Sequence, residues 1–294
     1  MHPDVRNLAW LLDAPNLLNR NHVRWNGLLA ELPAIEPGTA DWLAELDNEP
    51  QRLQDFLAIH PHTRLGHYAE NLLAFYFGWR GELVAHSLQV RAHTTIGEFD
   101  FLLNTPQGFE HWEFACKFYL FVEPASTLSN FVGPNLMDNL NDKSRKIMEA
   151  QLALGRHADA QKYLTAPLHA ARALLKGWLF YPSTHSQTLP EIATAHCRGL
   201  WCRISELDTV QGEQFLILTR LRWLAPARVH GVATMNRGQL QQHLEQQFVG
   251  DARPVLVVSL TASDGSLIET GRIFVVPDDW NTALRSGMDS QDLK

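Results

Sequence analysis

The sequence predicts an α/β protein in which a helix, three strands, helices and a further strand follow one another. Two observations predict it. Between residues 96 and 122, two runs with period-two alternation flank Asn104-Thr105-Pro106-Gln107-Gly108, the pattern of a β-hairpin. Upstream, Leu65 to Phe77 carries the three–four apolar spacing of a helix and is closed by Gly78 and Gly81.

The remaining elements follow in order. Residues 1–50 read as an N-terminal helical segment that ends in the polar stretch Leu46 to Pro50. Leu83 to Val90 reads as the first strand, and the hairpin supplies strands at 96–103 and 109–122. A Pro/Ser/Asn/Gly-rich loop, Glu123 to Asn135, leads to a helix from Met137 to Gly155 and a shorter one near 166–176. Gly177-Trp178-Leu179-Phe180-Tyr181 reads as a strand ended by Pro182. The core thus runs over 51–182, and Ser183 to Pro190 marks the boundary to an α+β region at 183–294. That region shows short strands at Phe215 to Thr219, Val255 to Leu260 and Ile273 to Val276, a helix at 236–248, and an Asp264-Gly265 turn.

Composition narrows the function classes. With 294 residues, 45% hydrophobic and 19% charged, the chain has the material for a proper core. Leu8 to Leu12 is too short for a secretory signal, and no run approaches the ~18 apolar residues of a membrane helix. Three cysteines, one of them (Cys116) in an expected core strand, fit a reducing cytoplasm better than a disulfide framework. The net charge of −7 means that any nucleic-acid contact must come from a local basic patch.

The residues that carry chemistry lie around the hairpin. In its first run Phe99, Phe101 and Leu103 are expected opposite Glu98 and Asp100, because successive side chains alternate across a strand. In its second, Glu113, Ala115 and Lys117 share the face opposite Trp112, Phe114, Cys116 and Phe118. Antiparallel pairing then brings Glu98, Asp100, Glu113 and Lys117 onto one surface. Charges among so many apolar neighbours are costly unless paired or bound to a cation. Asp is depleted in strands, which marks Asp100 most clearly; Glu98 is either a solvated bystander or part of the set, and Glu113–Lys117 is either a salt bridge or part of a site. Glu70 falls within the apolar stripe of Gly66, Leu73, Ala74 and Phe77. On the next helix Met137, Leu140, Ser144, Ile147, Gln151 and Leu154 form a stripe that sets Gln151 among apolar neighbours, where a buried amide needs partners. Its other faces carry Lys143, Arg145 and Lys146, either a solvated face or the contact for phosphates. His60, His62 and His67 have no spacing that aligns all three as ligands.

Glu70 on a helix, Gly97-x-x-Asp100 on the middle strand and Lys117 on the next resemble the PD-(D/E)xK nuclease superfamily, and the element order over 64–182 is similar to its restriction-endonuclease-like core. Gln151 falls in the place of the Gln found in members like the RecB nuclease domain. More narrowly, the chain resembles the bacterial family known as domain of unknown function 1853. The strings that carry this are Arg6-Asn7-Leu8-Ala9-Trp10-Leu11-Leu12, Gly97 to Leu103, His111 to Leu120, Gly177 to Pro182 and Arg272 to Trp280.

The superfamily resemblance implies Mg²⁺-dependent phosphodiester hydrolysis on DNA, with Mn²⁺ as an alternative ion. Asp100, Glu113 and Glu98 would be metal ligands, Glu70 an auxiliary acid, Lys117 the charge stabiliser and Gln151 a positioning group. DNA would be met through Lys143, Arg145 and Lys146. The chain departs from the motif at one position: the acid two residues before the Lys is here Ala115. Glu113 stands one strand repeat further away, ~6.6 Å by the strand rise. The competing reading is a non-catalytic member of the same fold that acts as a nucleic-acid or protein interaction module.

Overall fold

A computed structural model describes residues 1–60, 62–123, 127–185 and 189–282. Two compact units interleave along the chain: Met1–Lys117, Leu140–Trp178 and Thr188–Cys197 form one, and Phe118–Asn139, Leu179–Gln187 and Arg198–Lys294 the other. The fold is mixed α/β, with a ten-stranded sheet in the order β1-β2-β3-β5-β6-β10-β9-β7; β4 pairs with β3, and β8 with β10.

In the first unit, helix α1 (Pro3–Asp13) opens with Pro at its first position and with His2 Nδ1 accepting the Asp4 N–H. Helices α2 (Pro37–Asn48) and α3 (Gln51–Ile59) follow, and between α1 and α2 only Val23–Trp25 forms a short 3-10 turn. Helix α4 (Leu65–Trp79) is buried along most of its length, from Tyr68 to Phe77. Strands β1 (Leu83–Arg91), β2 (Thr95–Thr105) and β3 (Gly108–Phe121) come next, paired antiparallel as the hairpin pattern requires. After β4 (Phe131–Val132), a second-unit strand, the chain returns to the first unit with α5 (Leu140–Arg145). That helix widens into a π-helical turn, Lys146–Gln151. The Met137 to Gly155 helix is therefore shorter and less regular than expected, and Met137 lies outside it, 87% exposed. A short α6 (Ala158–Gln161) precedes β5 (Ala170–Tyr181).

The helix expected near 166–176 is a correction. Ala170, Ala171, Ala173, Leu174 and Leu175 are good helix formers, but intrinsic propensity is a weak prior. Here they form the first half of a strand inside the sheet, with Ala173, Leu174 and Leu175 all buried. A strand covered on both faces loses its alternation and reads as a continuous apolar run. Gly177, φ +137°, fits because a Cβ there would collide with the Lys117 backbone carbonyl.

The second unit holds most of β6 (Cys197–Arg203), together with β7 (Gln214–Ile217), β8 (Arg228–Val229), α7 (Arg237–Gly250), β9 (Val255–Ser263) and β10 (Ser266–Val276). Asn236 and Gln239 cap α7 reciprocally. Asp264 and Gly265, both at positive φ, make the two-residue turn that pairs Ser263 with Ser266. Phe215, Leu240, Leu244, Val257 and Val275 centre its core. Strand β6, which pairs parallel to β10, had no counterpart in the sequence reading, since Arg198 and Gly199 interrupt its apolar pattern. No helix among the described residues is long and apolar enough to cross a membrane.

Candidate active site

Strands β1 and β2 turn over at the point where the acids gather. Phe101 meets the Phe77 ring of α4 edge-on at 5.3 Å and stacks against His86 at the same distance. Phe99, two residues away, packs instead with Leu102, Phe109, Leu154 and Ala160, and meets His111 edge-on at 4.7 Å. Plain alternation would keep Phe99 and Phe101 on one face. Strand β1 makes the same inversion, with His86 on Phe101 but Ala85 and Leu88 against the Phe99 cluster. The residue between His86 and Leu88 is Ser87, held at φ +49°, a strained value for a non-glycine residue inside a strand. The expected single face of Phe99, Phe101 and Leu103 is thus corrected, and the inversion has a consequence. Glu98 and Asp100 are free to converge on Glu70 of α4, and the three carboxylates offer oxygens that all lie within 4.8 Å of one another.

Each acid is held by the elements around it. Glu70 Oε1 accepts from Ser87 Oγ at 2.8 Å and pairs with His86 Nε2 at 3.0 Å, while His67 Nδ1 stands 3.9 Å from Oε2. Asp100 Oδ2 accepts the Phe114 N–H at 2.8 Å. The paired register of β2 and β3 ends at Phe101↔Trp112, so at this place a side chain takes the N–H that a strand neighbour would otherwise use. Glu113, fully buried, contacts His111 Nε2 at 2.8 Å through Oε1, accepts Gln151 Nε2 through Oε2, and shares a side-chain hydrogen bond with Asp100.

Gln151 reaches Glu113 because of how its helix is anchored. The π-helical turn ends on it, and Leu154, just beyond, packs onto Gly97, where a Cβ would come within 2.8 Å of Leu154 Cδ1. Single π-helical turns inside helices are frequent at functional sites. The glycine of Gly97-x-x-Asp100 therefore seats the helix that carries Gln151.

The electrostatics are those of a crowded acid site. Burial pushes the Asp100 carboxyl well above the usual range, and the negative charges of Glu113, Glu70 and Glu98 add to the shift. Glu113 is raised chiefly by burial, against the pull of Lys143 and the hydrogen bond to Asp100. These two acids titrate as a pair. His111 is pushed down to about 4 by burial, so it meets Glu113 as a neutral ring. Lys143 Nζ lies 3.4 Å from Gln151 Oε1. Burial and the nearby Lys117 lower its pKa, while Asp100 and Glu113 oppose that shift.

The structure thus brings together Glu70, Glu98, Asp100, Glu113, Gln151 and Lys143, with the half-buried Lys117 next to Lys143. Glu113 stands beside the three-carboxylate group and outside it, both its oxygens engaged by protein donors. Arg145 and Lys146 are exposed, and Arg145 pairs with Asp142 at 3.2 Å. The sequence reading gave no role to His86, Ser87 or His111. The signal for His111 was present: it precedes Glu113 by two on one strand and so shares its face. Ser87 had none, because its part depends on a positive φ.

The donor set fits a hard divalent cation. Oxygens bound ~2.1 Å from one octahedral ion lie at most ~4.2 Å apart, close to the spread of the three carboxylates. A cation there would offset both the burial and the neighbouring negative charges that raise Asp100.

The model of the family described as domain of unknown function (DUF1853) matches residues 6–276, and the chain belongs to that family. No curated protein and no solved structure matches it.

Proposed function

Taking membership of the DUF1853 family as the premise, we propose that this chain is a metal-dependent phosphodiesterase acting on DNA, built on a restriction-endonuclease-like core of the PD-(D/E)xK kind. The observation that carries this reading is the convergence of Glu70, Glu98 and Asp100 within 4.8 Å, with Lys143 close to Asp100 and Lys117 close to Lys143. The order α4, β1, β2, β3, α5, β5, interrupted by the two-residue β4 and the short α6, supports it.

Glu70, Glu98 and Asp100 would hold Mg²⁺ or Mn²⁺. Such an ion, when bound, polarises a phosphoryl oxygen and lowers the pKa of a water. Glu98, two residues before Asp100, supplies the acid that the motif lacks at Ala115. Glu113 acts on Asp100: held by Gln151 and His111, it fixes the Asp100 carboxyl and shares its proton. Lys117 stabilises negative charge as it develops on the phosphate.

Ala115, buried at the usual acid position, favours the second reading, a non-catalytic interaction module of the same fold. One experiment separates the two. Heats of Mg²⁺ and Mn²⁺ binding are measured for wild type and Asp100→Ala, alongside cleavage of single- and double-stranded DNA. The nuclease reading expects binding and cleavage, both lost in Asp100→Ala, while Lys117→Ala loses cleavage and keeps the ion. Wild type that binds neither ion and cuts nothing leaves the interaction module.

A further inference from the structure

Four strands run out at one place in the second unit. Val122 follows the last residue of β3, Pro182 follows β5, Arg203 ends β6, and Asn281 comes after the short turn beyond β10. Together they line a cavity of about 260 Å³. Strands β6 and β10 are parallel neighbours, and the crevice outside the carboxyl ends of parallel strands is where α/β sheets commonly bind ligands. The volume falls just below the range of drug-sized sites, so an occupant is small.

The buried end of this cavity is polar and only partly used. Asn281 is 2% exposed; its Oδ1 accepts Arg203 Nη2 at 3.1 Å, while its Nδ2 is buried with no hydrogen-bond partner among the described residues. A guanidinium only donates, so the Arg203 bond fixes which end of the amide is the orphan. A buried donor left unpaired is costly, and on a cavity wall it calls for an acceptor. Arg203 is held beside it. Its Nε donates to the Asp278 carbonyl at 3.2 Å, and Asp278 Oδ1 accepts both the N–H and the Oγ–H of Ser205. Arg203 Nη1 stands 3.7 Å from Glu206 Oε1, beyond hydrogen-bond reach, which leaves its N–H groups for a ligand. Trp201 donates from Nε1 to the Phe121 carbonyl at 2.8 Å, so its indole is a fixed wall, with Val122 and Pro182 beside it.

The open end has the opposite chemistry. Glu206 and Glu123 also line the cavity, and their side chains are 49% and 56% exposed. Donors at the buried end and carboxylates at the mouth fit a molecule that carries an acceptor at one end and a cation at the other. We propose that this cavity is a binding site for a small amino acid. Its carboxylate would sit on Asn281 Nδ2 and Arg203 Nη1, its short carbon chain against Trp201, and its ammonium toward Glu206 and Glu123.

Calorimetry on the full chain tests this with glycine, β-alanine and 4-aminobutanoate, which differ in the spacing of the two charges. Acetate, methylammonium and phosphate serve as partial ligands. At least one amino acid should bind, one per chain, and more tightly than any partial ligand. Asn281→Asp keeps the shape and the Arg203 bond but replaces the donor with an acceptor. It should weaken binding by about tenfold or more, the loss expected for one hydrogen bond to a charged group. The double variant Glu123→Gln, Glu206→Gln, at exposed positions, should erase the preference for the amino acid over acetate, and far-UV circular dichroism checks both proteins. No binding of any of the three amino acids at millimolar concentration overturns the proposal, and so does unchanged affinity in Asn281→Asp. Acetate or phosphate binding as tightly as the amino acids overturns it too, because the acidic mouth would then play no part.

Discussion

In the second unit the nearly buried Glu269 meets the Arg272 guanidinium at 2.7 Å, and the remaining guanidinium donors reach the carbonyls of Trp223, Leu224 and Ala225. The Glu269 carboxylate also accepts the Ala227 N–H. In the first unit Glu113 is fully buried, yet its partners are a neutral imidazole, a neutral amide and another acid. The first arrangement satisfies every charge with an opposite one and holds a loop to a strand. The second buries acids together without an opposite charge bonded to them, and burial, with the like charges beside it, raises their carboxyl pKa values. Burial alone therefore does not tell an acid matched by an opposite charge from one held among like charges; the identity of the partner does. A third case lies on the same strand as Glu113: Glu110, also fully buried, meets Arg172 at 2.8 Å and the Trp112 N–H at 2.7 Å.

Substitution should expose that contrast most strongly at Arg272. Removing one member of a buried pair leaves the other uncompensated, so Arg272→Ala should lose ~3–5 kcal/mol in denaturant unfolding. A loss under ~1 kcal/mol would mean that the pair is dispensable. In the acid site the sign should reverse. Asp100→Asn and Glu113→Gln remove repulsion in the ion-free protein and should stabilise it by ~1 kcal/mol at pH 8, a trade of function for stability. Asp100→Asn should also lose divalent binding by calorimetry. If both variants are destabilised, the acids are structural after all.

Burial and the same repulsion together set a pH dependence. Asp100 and Glu113 have folded-state pKa values above their unfolded ones, so the folded protein holds the extra proton between the two values. Their stabilising contribution is full below the unfolded carboxylate range and is lost as pH rises through the raised folded values. Wild type should therefore lose stability relative to Asp100→Asn as pH rises from 5 to 8, and saturating Mg²⁺ should cancel the loss. A difference that stays flat with pH would remove the coupled pair. The smallest effect belongs to the exposed pair: Arg145→Ala should shift stability by less than ~0.5 kcal/mol and leave ion binding unchanged.

Much of this was legible in the chain. The three–four stripe of Leu65 to Phe77, the hairpin around Pro106 and the Asp264-Gly265 turn are local signals, and each yields the element expected. Asp100 declared itself by sitting where strands avoid Asp. The first half of β5 did not, because its Ala and Leu residues favour a helix until distant segments meet their backbone groups: Ala173 bonds to Leu28 and Ala30, and Leu175 to Leu17. Nor could alternation foresee the inversion at Ser87 and Asp100, which depends on two strands turning over together against α4. Local pattern determined which residues are apolar, many of the elements they form and that Asp100 is out of place. Only the tertiary structure decided that Glu98 joins Glu70 and Asp100, that Lys143 faces inward while Arg145 does not, and that Glu113 is held by Gln151 from 38 residues away. Those are contacts between distant segments, fixed by packing at Gly97 and by one strained serine, and no sequence period encodes them.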